Sequence, residues 1–351
     1  MAKKEKLVVG IDIGSHAVKI CQIRKAGKDG YQLVALGSAA ISPGAVEDGV
    51  LQDAEDVGAA ISELCKNLKI KSKERVGLSI SGYSVIVKKI NIEMENEEEL
   101  ADRLNEEAEQ YIPFDINEVY LDFQVLKAGE DEFDRSEVML VAAKKEVIDD
   151  YRSMLEAQKL VPALVDVDGF ALENIWTTTS GGNKNVCLID IGASKLNINI
   201  IADGASVLAR DVVMGSDDLS REIANTLDLD YDEAEQIKTG RIEAEEEYLE
   251  DLHEIFTQVC TRWVLEIKKA IDLYSNNNPK KPLAALVLSG GGSKVRGLKR
   301  YLASETGLEV IAFNPFDRMK VNDKKIDTAY LEAVASEMSI AAGLAIRPAE
   351  F

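Results

Sequence analysis

The sequence is poor in the residues that usually carry metal, thiol or acid–base chemistry. It has two histidines and four cysteines among 351 residues. The cysteines are scattered and form no Cys-x-x-Cys pair, which argues against a zinc site or a redox motif and favours buried free thiols. Neither histidine lies near a serine and a carboxylate in a pattern that indicates a catalytic triad. Triad hydrolases and thiol enzymes are therefore excluded as first hypotheses.

Long apolar runs and an excess of positive charge are also missing. No run approaches the ~18 apolar residues of a membrane-spanning helix. The apolar stretch near the N-terminus is interrupted by Asp12, which argues against a signal peptide. With 41 basic and 62 acidic residues the net charge is −21, so binding to a nucleic-acid backbone or, unaided, to anionic lipid is disfavoured. We expect a cytoplasmic protein.

What is present is a repeated tetrapeptide. Ile-Asp-Ile-Gly occurs at residues 11–14 and again at residues 189–192. Each copy ends a short apolar run, is followed within two residues by a serine, and precedes a second alternating stretch. This pattern predicts a β-hairpin with a glycine-containing turn. Two such turns, about one domain length apart, indicate duplicated halves that hold one phosphate-bearing ligand between them.

The order of the predicted elements supports the duplication. The first half reads as three strands, a helix and a further strand, at residues 7–13, 17–24, 31–41, 53–68 and 75–81. The same order restarts with strands at residues 186–190, 195–202 and 206–213, a helix from Ser216 and a strand at 283–289. This order resembles one half of the ribonuclease-H-like fold. The predicted fold class is therefore α/β, with two duplicated lobes.

Two segments interrupt the duplicated pattern. The first is a predicted β-α-β-β-α insert, whose helical stretch covers residues 96–111. The second is almost continuously helical in pattern, with a break at Gly240. The predicted division is a first lobe at residues 1–84, 165–184 and 328–351, the insert at 85–164, a second lobe at 185–228 and 283–327, and its helical subdomain at 229–282.

The two turns supply the candidate ligands for a nucleotide. Asp12 and Asp190 end their strands, and Gly14 and Gly192 let the backbone turn tightly beside a ligand. Two carboxylates that face each other across a cleft suit hydrated Mg²⁺, which binds through few protein ligands and the phosphates. The backbone N–H groups predicted to face phosphate oxygens are those of Ser15, His16, Ala193 and Ser194.

Three further segments are candidates for nucleoside contacts. Gly290–Gly292 follow a buried strand and precede a helix near Ser293. This arrangement allows close approach of an anion or a flat base, and a tight strand-to-helix connection is the alternative. Gly215 precedes another helix start. Glu235 and Lys238 lie three residues apart on one helical face, where a surface ion pair is the default expectation.

Asp168 is the candidate for a catalytic group. It lies at a strand-to-helix junction just before the second half begins. Its carboxylate is placed either to orient a water for attack on a γ-phosphate or to cap the helix that begins near Gly169. Without knowledge of the fold, the cap is favoured.

Taken in order, these segments resemble the five motifs of the actin/sugar-kinase/heat-shock-chaperone ATPase superfamily. The two phosphate motifs correspond to residues 10–20 and 188–200, the adenosine motif to 286–297, and the connecting helices to 165–176 and 336–346. The resemblance implies bound ATP, with Mg²⁺ coordinated through water by Asp12 and Asp190 and with Asp168 positioning water in members that hydrolyse ATP. The residues that it places around the nucleotide are Gly14, Ser15, His16, Lys19, Gly192, Ser194, Gly215, Glu235, Lys238, Gly290, Gly291, Gly292 and Ser293.

The insert indicates which branch of the superfamily the chain resembles. It stands where the cell-division protein FtsA has its relocated subdomain, and residues 106–126 (EEAEQYIPFDINEVYLDFQVL) resemble a signature of the PilM family, the FtsA-like proteins of type IV pilus assembly. FtsA continues into a membrane-binding amphipathic helix, which we do not expect here. The resemblance implies an ATP-binding scaffold at the cytoplasmic face of the inner membrane. It would bind the N-terminal cytoplasmic tail of the membrane protein PilN, and other components of the pilus machinery.

The resemblance places the docking groove for that tail between the first lobe and the insert. Tyr111, Ile112, Pro113 and Phe114 form an apolar patch there, at the end of an acidic helix. An extended peptide with apolar anchors and basic flanks suits this patch, and packing within the insert's own core is an equal alternative. Two other functions stay open: an FtsA-like filament former in cell division, and a small-molecule kinase of the same superfamily. In a scaffold, ATP turnover is expected to be slow or negligible.

Overall fold

The computed structural model describes residues 6–27, 30–92, 103, 108–127, 135–181 and 184–349. The chain begins with β1 (Val9–Ile13), β2 (Ala17–Lys25), β3 (Tyr31–Ala40), a short hairpin of β4 (Val46–Glu47) and β5 (Val50–Leu51), α1 (Ala54–Asn67) and β6 (Arg75–Ile80). Helix α1 begins where Asp53 accepts hydrogen bonds from the backbone N–H groups of Glu55 and Asp56. These are donors that have no partner inside the helix, so the aspartate fixes where the helix starts.

A separate three-stranded antiparallel sheet follows. It consists of β7 (Val85–Ile92), β8 (Val119–Lys127) and β9 (Ser136–Lys144), with β9 in the centre. Ile90 and Val138 face each other across β7 and β9 and are buried in the small core of this sheet. The predicted helix at residues 96–111 lies mostly outside the described residues.

The helix and the strand that end the predicted insert pack on the first lobe. They are α2 (Lys145–Ala157) and β10 (Val161–Val167). Strand β10 pairs in parallel with β6. Val147, Tyr151 and Leu155 are spaced by four residues, so they share one face of α2, and all three are buried in the core of the first lobe. By packing, the inserted unit is therefore the three-stranded sheet, and its C-terminal end lies near Lys144 rather than at the predicted Leu164.

The second half repeats the first. Helix α3 (Asp168–Ser180) precedes it. Its elements are β11 (Val186–Ile191), β12 (Leu196–Ala202), β13 (Ala205–Val212), α4 (Ser216–Leu227), α5 (Tyr231–Thr239), α6 (Leu249–Asn277), β14 (Ala285–Ser289), α7 (Leu298–Thr306) and β15 (Glu309–Ala312). Helices α8 (Thr328–Val334) and α9 (Ser339–Ala345) follow it. The first sheet has the strand order β3-β2-β1-β6-β10 and the second β13-β12-β11-β14-β15. In both, the hairpin pairs are antiparallel and the remaining pairs are parallel. The predicted duplication of an α/β lobe is confirmed.

Helices α5 and α6 elaborate the second lobe. The predicted break at Gly240 ends α5, where the residue has a left-handed φ of 70°. Trp263 and Ile267 of α6 are buried in the core of the second lobe. Among the described helices, none combines the length and the apolar character that a bilayer crossing requires. The four cysteines are free, and three of them are buried, as the sequence predicted.

Two helices, α3 and α9, cross each other between the sheets. A Cβ atom at Gly343 in α9 would overlap the carbonyl oxygen of Ala171 in α3, and one at Gly10 in β1 would overlap that of Ala341. The small residues of α9 therefore permit a backbone approach that no larger side chain allows. Leu172 and Leu188 share one core with Leu33 of the first sheet. This shared core fixes the turns after β1 and β11 on the two sides of one cleft.

Candidate functional site

The cleft between the halves contains a cavity of about 330 Å³. It is closed on one side by the first hairpin turn and on the other by the second. The predicted site residues that line it are Asp12, Gly14, Ser15, His16, Lys19, Asp168, Asp190, Gly192, Ser194, Glu235, Lys238 and Gly291. The fold thus brings together residues that are separated by more than 270 positions in the sequence.

The two turns have matching backbones. Gly14 N–H donates to the carbonyl oxygen of Ala17 at 3.1 Å, and Gly192 N–H donates to that of Lys195 at 2.8 Å. In each case the glycine closes a turn of the same length, which holds the preceding aspartate at the mouth of the hairpin. Both carboxylates therefore enter the cavity from the same position of equivalent strands.

The two aspartates have different partners. Asp12 lies opposite Lys19 in the hairpin and accepts a hydrogen bond from its Nζ at 2.9 Å. Burial disfavours the charged form of Lys19, but the neighbouring carboxylates of Asp12 and Asp190 outweigh this effect and raise the pKa of the lysine. Asp190 instead accepts a hydrogen bond from the neutral Ser289 Oγ at 2.8 Å.

Burial raises the pKa of both carboxyl groups. For Asp12 the increase persists although Lys19 opposes it. For Asp190 burial raises the pKa to about 7, against the hydrogen bond from Ser289 and with a further increase from the charge of Asp12. A cation placed between the two carboxylates would stabilise their charged forms. Positive charge at this end of the cavity would therefore lower the free-energy cost of ionising the two buried carboxyl groups.

Asp168 is the first residue of α3. The sequence favoured a helix cap at this position, but the helix begins one residue earlier than predicted and Val167 occupies the capping position. The carboxylate of Asp168 lies in the first helical turn and lines the cavity with the two strand aspartates. The favoured capping role is therefore not observed.

Gly215, Gly290, Gly292 and Ser293 lie beside the cavity without lining it. A Cβ atom at Gly290 or Gly292 would overlap atoms of Ile191, and one at Gly215 would overlap the carbonyl oxygen of Ala193. Ser293 Oγ donates to the carbonyl oxygen of Gly290 at 2.6 Å. These residues let the glycine-rich segment and the start of α4 pack directly against the second turn.

Glu235 and Lys238 form the ion pair that their spacing predicts, with 2.6 Å between Oε2 and Nζ. The lysine side chain is only 3% exposed, however, so the pair is not a surface pair. Lys238 Nζ also donates to the carbonyl oxygen of Ser216 at 3.1 Å, and Glu235 Oε2 accepts from Ser220 Oγ at 2.6 Å. The network fixes α5 to α4 at the wall of the cavity.

The second-lobe residues of the cavity wall that sequence reasoning missed include Lys195, Asn197 and Asp211. Asn197 lies opposite Asp190 in the ladder and opposite Asp211 on its other side. The repeat itself carried a signal for Asn197, because it follows Asp190 by the same seven positions that separate Lys19 from Asp12. No sequence pattern indicated Asp211, since it reaches the site only through sheet pairing.

No three histidine, cysteine, aspartate or glutamate side chains in the described ranges converge closely enough to hold a metal ion by themselves. The donor set fits Mg²⁺ only in the form predicted from the sequence, with water and ligand phosphates completing the coordination.

The predicted partner patch lies on the insert. Ile112 is 4% exposed and belongs to the core of the three-stranded sheet, with Tyr111 and Phe114 packed against that core and partly exposed. Pro113 is exposed. The ammonium group of Lys144 lies 5.2 Å from the ring centroid of Phe114. The patch therefore combines one buried residue, Ile112, with three residues that are exposed or partly exposed, Tyr111, Pro113 and Phe114.

The protein-family comparison gives one match. The family model of the type IV pilus assembly protein PilM matches residues 10–349, which is nearly the whole chain. Among solved structures, the chain is similar to a chain of the PilM–PilN type IV pilus biogenesis complex, with a TM-score of 0.85 and 25% identity over 98% of this chain and 99% of that one.

More distant structures share the fold alone. The ethanolamine utilization protein EutJ from Carboxydothermus hydrogenoformans has a TM-score of 0.58 and 14% identity, over 99% of this chain and 90% of that one. MreB5 of Spiroplasma citri bound to AMPPNP has a TM-score of 0.53 and 12% identity, over 97% of this chain and 95% of that one.

Proposed function

The chain belongs to the family of type IV pilus assembly proteins PilM, and we propose that it is an ATP-binding scaffold that holds the N-terminal cytoplasmic tail of the pilus protein PilN. Two observations together carry the proposal. The chain is similar over nearly its whole length to a chain of the PilM–PilN complex, and both duplicated turns line one cavity. The scaffold would be recruited to the cytoplasmic face of the inner membrane through its partner. There it would connect PilN to other components of the pilus machinery.

The cavity supports a nucleotide as its ligand. It offers turn backbone around Gly14 and Gly192 for phosphates and the raised-pKa carboxyls of Asp12 and Asp190 for a hydrated Mg²⁺. The Glu235–Lys238 pair, on the wall formed by α5, is placed for polar contacts with the nucleoside. When bound, Mg²⁺ would neutralise phosphate charge, and the protein would contribute the two carboxylates that hold its water shell.

Asp168 is the proposed water-positioning residue, because its carboxylate lines the same cavity from the start of α3. The two alternatives find less support. A small-molecule kinase needs a positioned base beside a second substrate, and a filament former of the FtsA type needs contacts between copies. The family match favours the scaffold over both.

The nucleotide proposal is tested by titrating purified, nucleotide-stripped protein with Mg-ADP and Mg-ATP in a calorimeter. We expect one site per chain, and a loss of affinity of about tenfold or more, or 1.4 kcal/mol, in Asp190→Asn. The exposed Asp272→Asn in α6 removes the same charge far from the cavity and is the matched control. Equal nucleotide affinity in both variants would remove the assignment of the second turn.

The tail proposal rests on Tyr111, Pro113 and Phe114, the accessible part of the patch. An extended peptide can insert apolar side chains against exposed aromatic edges, while Glu109 and Asp115 nearby suit basic flanking residues. Ile112 is excluded from this role because it is buried, and its substitution would disturb the insert's own core.

The measurement is the affinity of a fluorescent synthetic peptide of the PilN tail from the same organism. We expect Phe114→Ala and Tyr111→Ala to weaken binding by about tenfold each, as buried aromatic anchors do. Tyr330→Ala is the control, because Tyr330 is an exposed aromatic residue (39%) that lies on α8. If the patch variants bind the peptide as tightly as the control, the docking surface lies elsewhere.

A further inference from the structure

Two polar contacts join the second phosphate turn and its neighbouring strand to one short loop of the first lobe. Lys195, whose carbonyl closes the second turn, donates from Nζ to Ser81 Oγ. Asp211 on β13 accepts a hydrogen bond from the backbone N–H of Gly82, with 2.7 Å between nitrogen and Oδ2. The second lobe thus holds two consecutive residues of the first lobe by a side chain and by the backbone.

Ser81 and Gly82 form the root of the insert. They connect β6 of the first sheet to β7, the first strand of the inserted sheet. At the end of the last inserted strand, the N–H of Lys144 donates to the carbonyl oxygen of Ser84 at 3.0 Å. Both ends of the insert therefore meet at this loop. Ser81 and Ser84 are buried, and a Cβ atom at Gly82 would crowd the carbonyl of Asp48, so the root is closely packed.

On the side of the second lobe, the same contacts lead to the part of the cavity that contains Asp190. Asp211 Oδ1 accepts a hydrogen bond from Asn197 Nδ2 at 2.6 Å, and Asn197 lies opposite Asp190 in the ladder. Asn197 is 8% exposed, and its Oδ1 atom has no hydrogen-bond partner among the described residues. A buried oxygen without a donor is unfavourable, so this atom favours a ligand or water that donates to it.

We propose that Lys195 and Asp211 couple the occupancy of the nucleotide cavity to the root of the insert, and so to the binding of the PilN tail. The inference rests on the proposed function. Bound phosphates offer the ammonium group of Lys195 a charged partner in place of the neutral Ser81 hydroxyl, and charge-assisted hydrogen bonds are the stronger kind. One ammonium group thus serves both the root and the phosphates, which links the free energies of nucleotide binding and tail binding reciprocally.

The test measures tail affinity in two nucleotide states. A fluorescent PilN tail peptide is titrated with the full chain, without nucleotide and with saturating Mg-ATP. In the wild type we expect the two dissociation constants to differ by about fivefold or more. In Lys195→Met and Asp211→Ala we expect their ratio to approach one. Lys299→Met and Asp272→Ala, which remove the same charges from exposed second-lobe helices, keep the wild-type ratio.

The outcomes separate this inference from the proposed function. A wild-type ratio of one with both ligands bound, or an unchanged ratio in Lys195→Met and Asp211→Ala, overturns the coupling and leaves the scaffold function standing. Failure of the wild type to bind the peptide or Mg-ATP overturns the function itself and the inference with it.

Hydrogen exchange of the wild type gives a second readout that does not depend on the folding of a variant. We expect Mg-ATP to change the protection of amides in residues 81–92, including that of Gly82, whose N–H is bonded to Asp211. Unchanged protection there, while the amides of the phosphate turns become slower to exchange, contradicts the coupling.

Discussion

The first half of the molecule carries a lysine where the second carries an asparagine. Lys19 and Asn197 each follow the turn aspartate of their half by seven residues and lie opposite it in the hairpin. Lys19 gives Asp12 a positive partner inside the cavity wall. Asn197 donates from its amide nitrogen to Asp211, and the hydrogen bond that Asp190 accepts comes from the neutral hydroxyl of Ser289. One duplicated scaffold thus presents one compensated and one uncompensated carboxylate.

Because of this difference, we expect the two turns to depend on a ligand to different degrees. Asp12 and Lys19 form an ion pair within the first lobe, with 2.9 Å between Nζ and Oδ2. The pKa of Asp190 is raised to about 7, chiefly by burial, so its charged form costs folding free energy. We infer that the second turn is the more ligand-dependent of the two, which agrees with its polar contacts to the root of the insert.

A second matched pair gives the largest expected effect. Gly10 lies two residues before Asp12, where a Cβ atom would overlap the backbone of α9, whereas the second half carries Leu188 at the matching position. Gly10→Ala should destabilise the protein by about 3 kcal/mol or more, because its Cβ would overlap the carbonyl of Ala341. Urea denaturation measures this effect.

The control for Gly10→Ala is Gly37→Ala in β3 of the same sheet. There a Cβ atom would meet only side-chain atoms of Leu64 and Leu68, at 3.0–3.5 Å. Equal unfolding midpoints for the two variants would show that the close approach of α9 to β1 is not what requires a glycine.

Lys19→Asn makes the first turn resemble the second and should have the next largest effect. Without the ammonium group, the buried Asp12 carboxylate loses its partner, at a cost of about 2–3 kcal/mol at pH 8. The sign of the pH dependence follows from the raised pKa of Asp12. In the variant the folded state holds this proton more tightly than the unfolded state, so stability falls as pH rises from about 4.

Denaturation of Lys19→Asn at pH 5 and pH 8 measures this dependence, with the exposed Lys299→Asn as the matched control. A destabilisation that is equal at both pH values would show that Lys19 acts by packing and not by neutralising Asp12.

Asp190→Asn removes the uncompensated charge and should have the smallest effect, of opposite sign. The wild-type carboxyl has its pKa raised from 3.8 to about 7, so it lowers stability as pH rises through this window. The variant without nucleotide should be more stable than the wild type at pH 8, with little difference at pH 4. A destabilised variant at pH 8 would refute the comparison of the two turns.

Much of the fold follows from local pattern. Alternating apolar residues and a glycine turn after Asp12, and again after Asp190, predicted both hairpins, and the order of elements predicted the duplication that the two sheets confirm. These signals are local because a hairpin closes within a few residues. The end of the insert was placed too late, because α2 has an apolar stripe that fits either neighbour, and only the pairing of β10 with β6 decides its lobe.

The candidate site likewise has one part that could be predicted from the sequence and one part that could not. The carboxylates and glycines of the turns could be predicted because they repeat, whereas Ser81 and Gly82 could not, because they are 114 and 129 residues from Lys195 and Asp211, their respective partners. The sequence by itself determined the two turns, their aspartates and the order of strands around them, since each depends on neighbours in the chain. Tertiary structure alone decided which residues bridge the halves. Those contacts depend on where separate sheets are held, and the crossing of α3 and α9 in a shared core fixes that position.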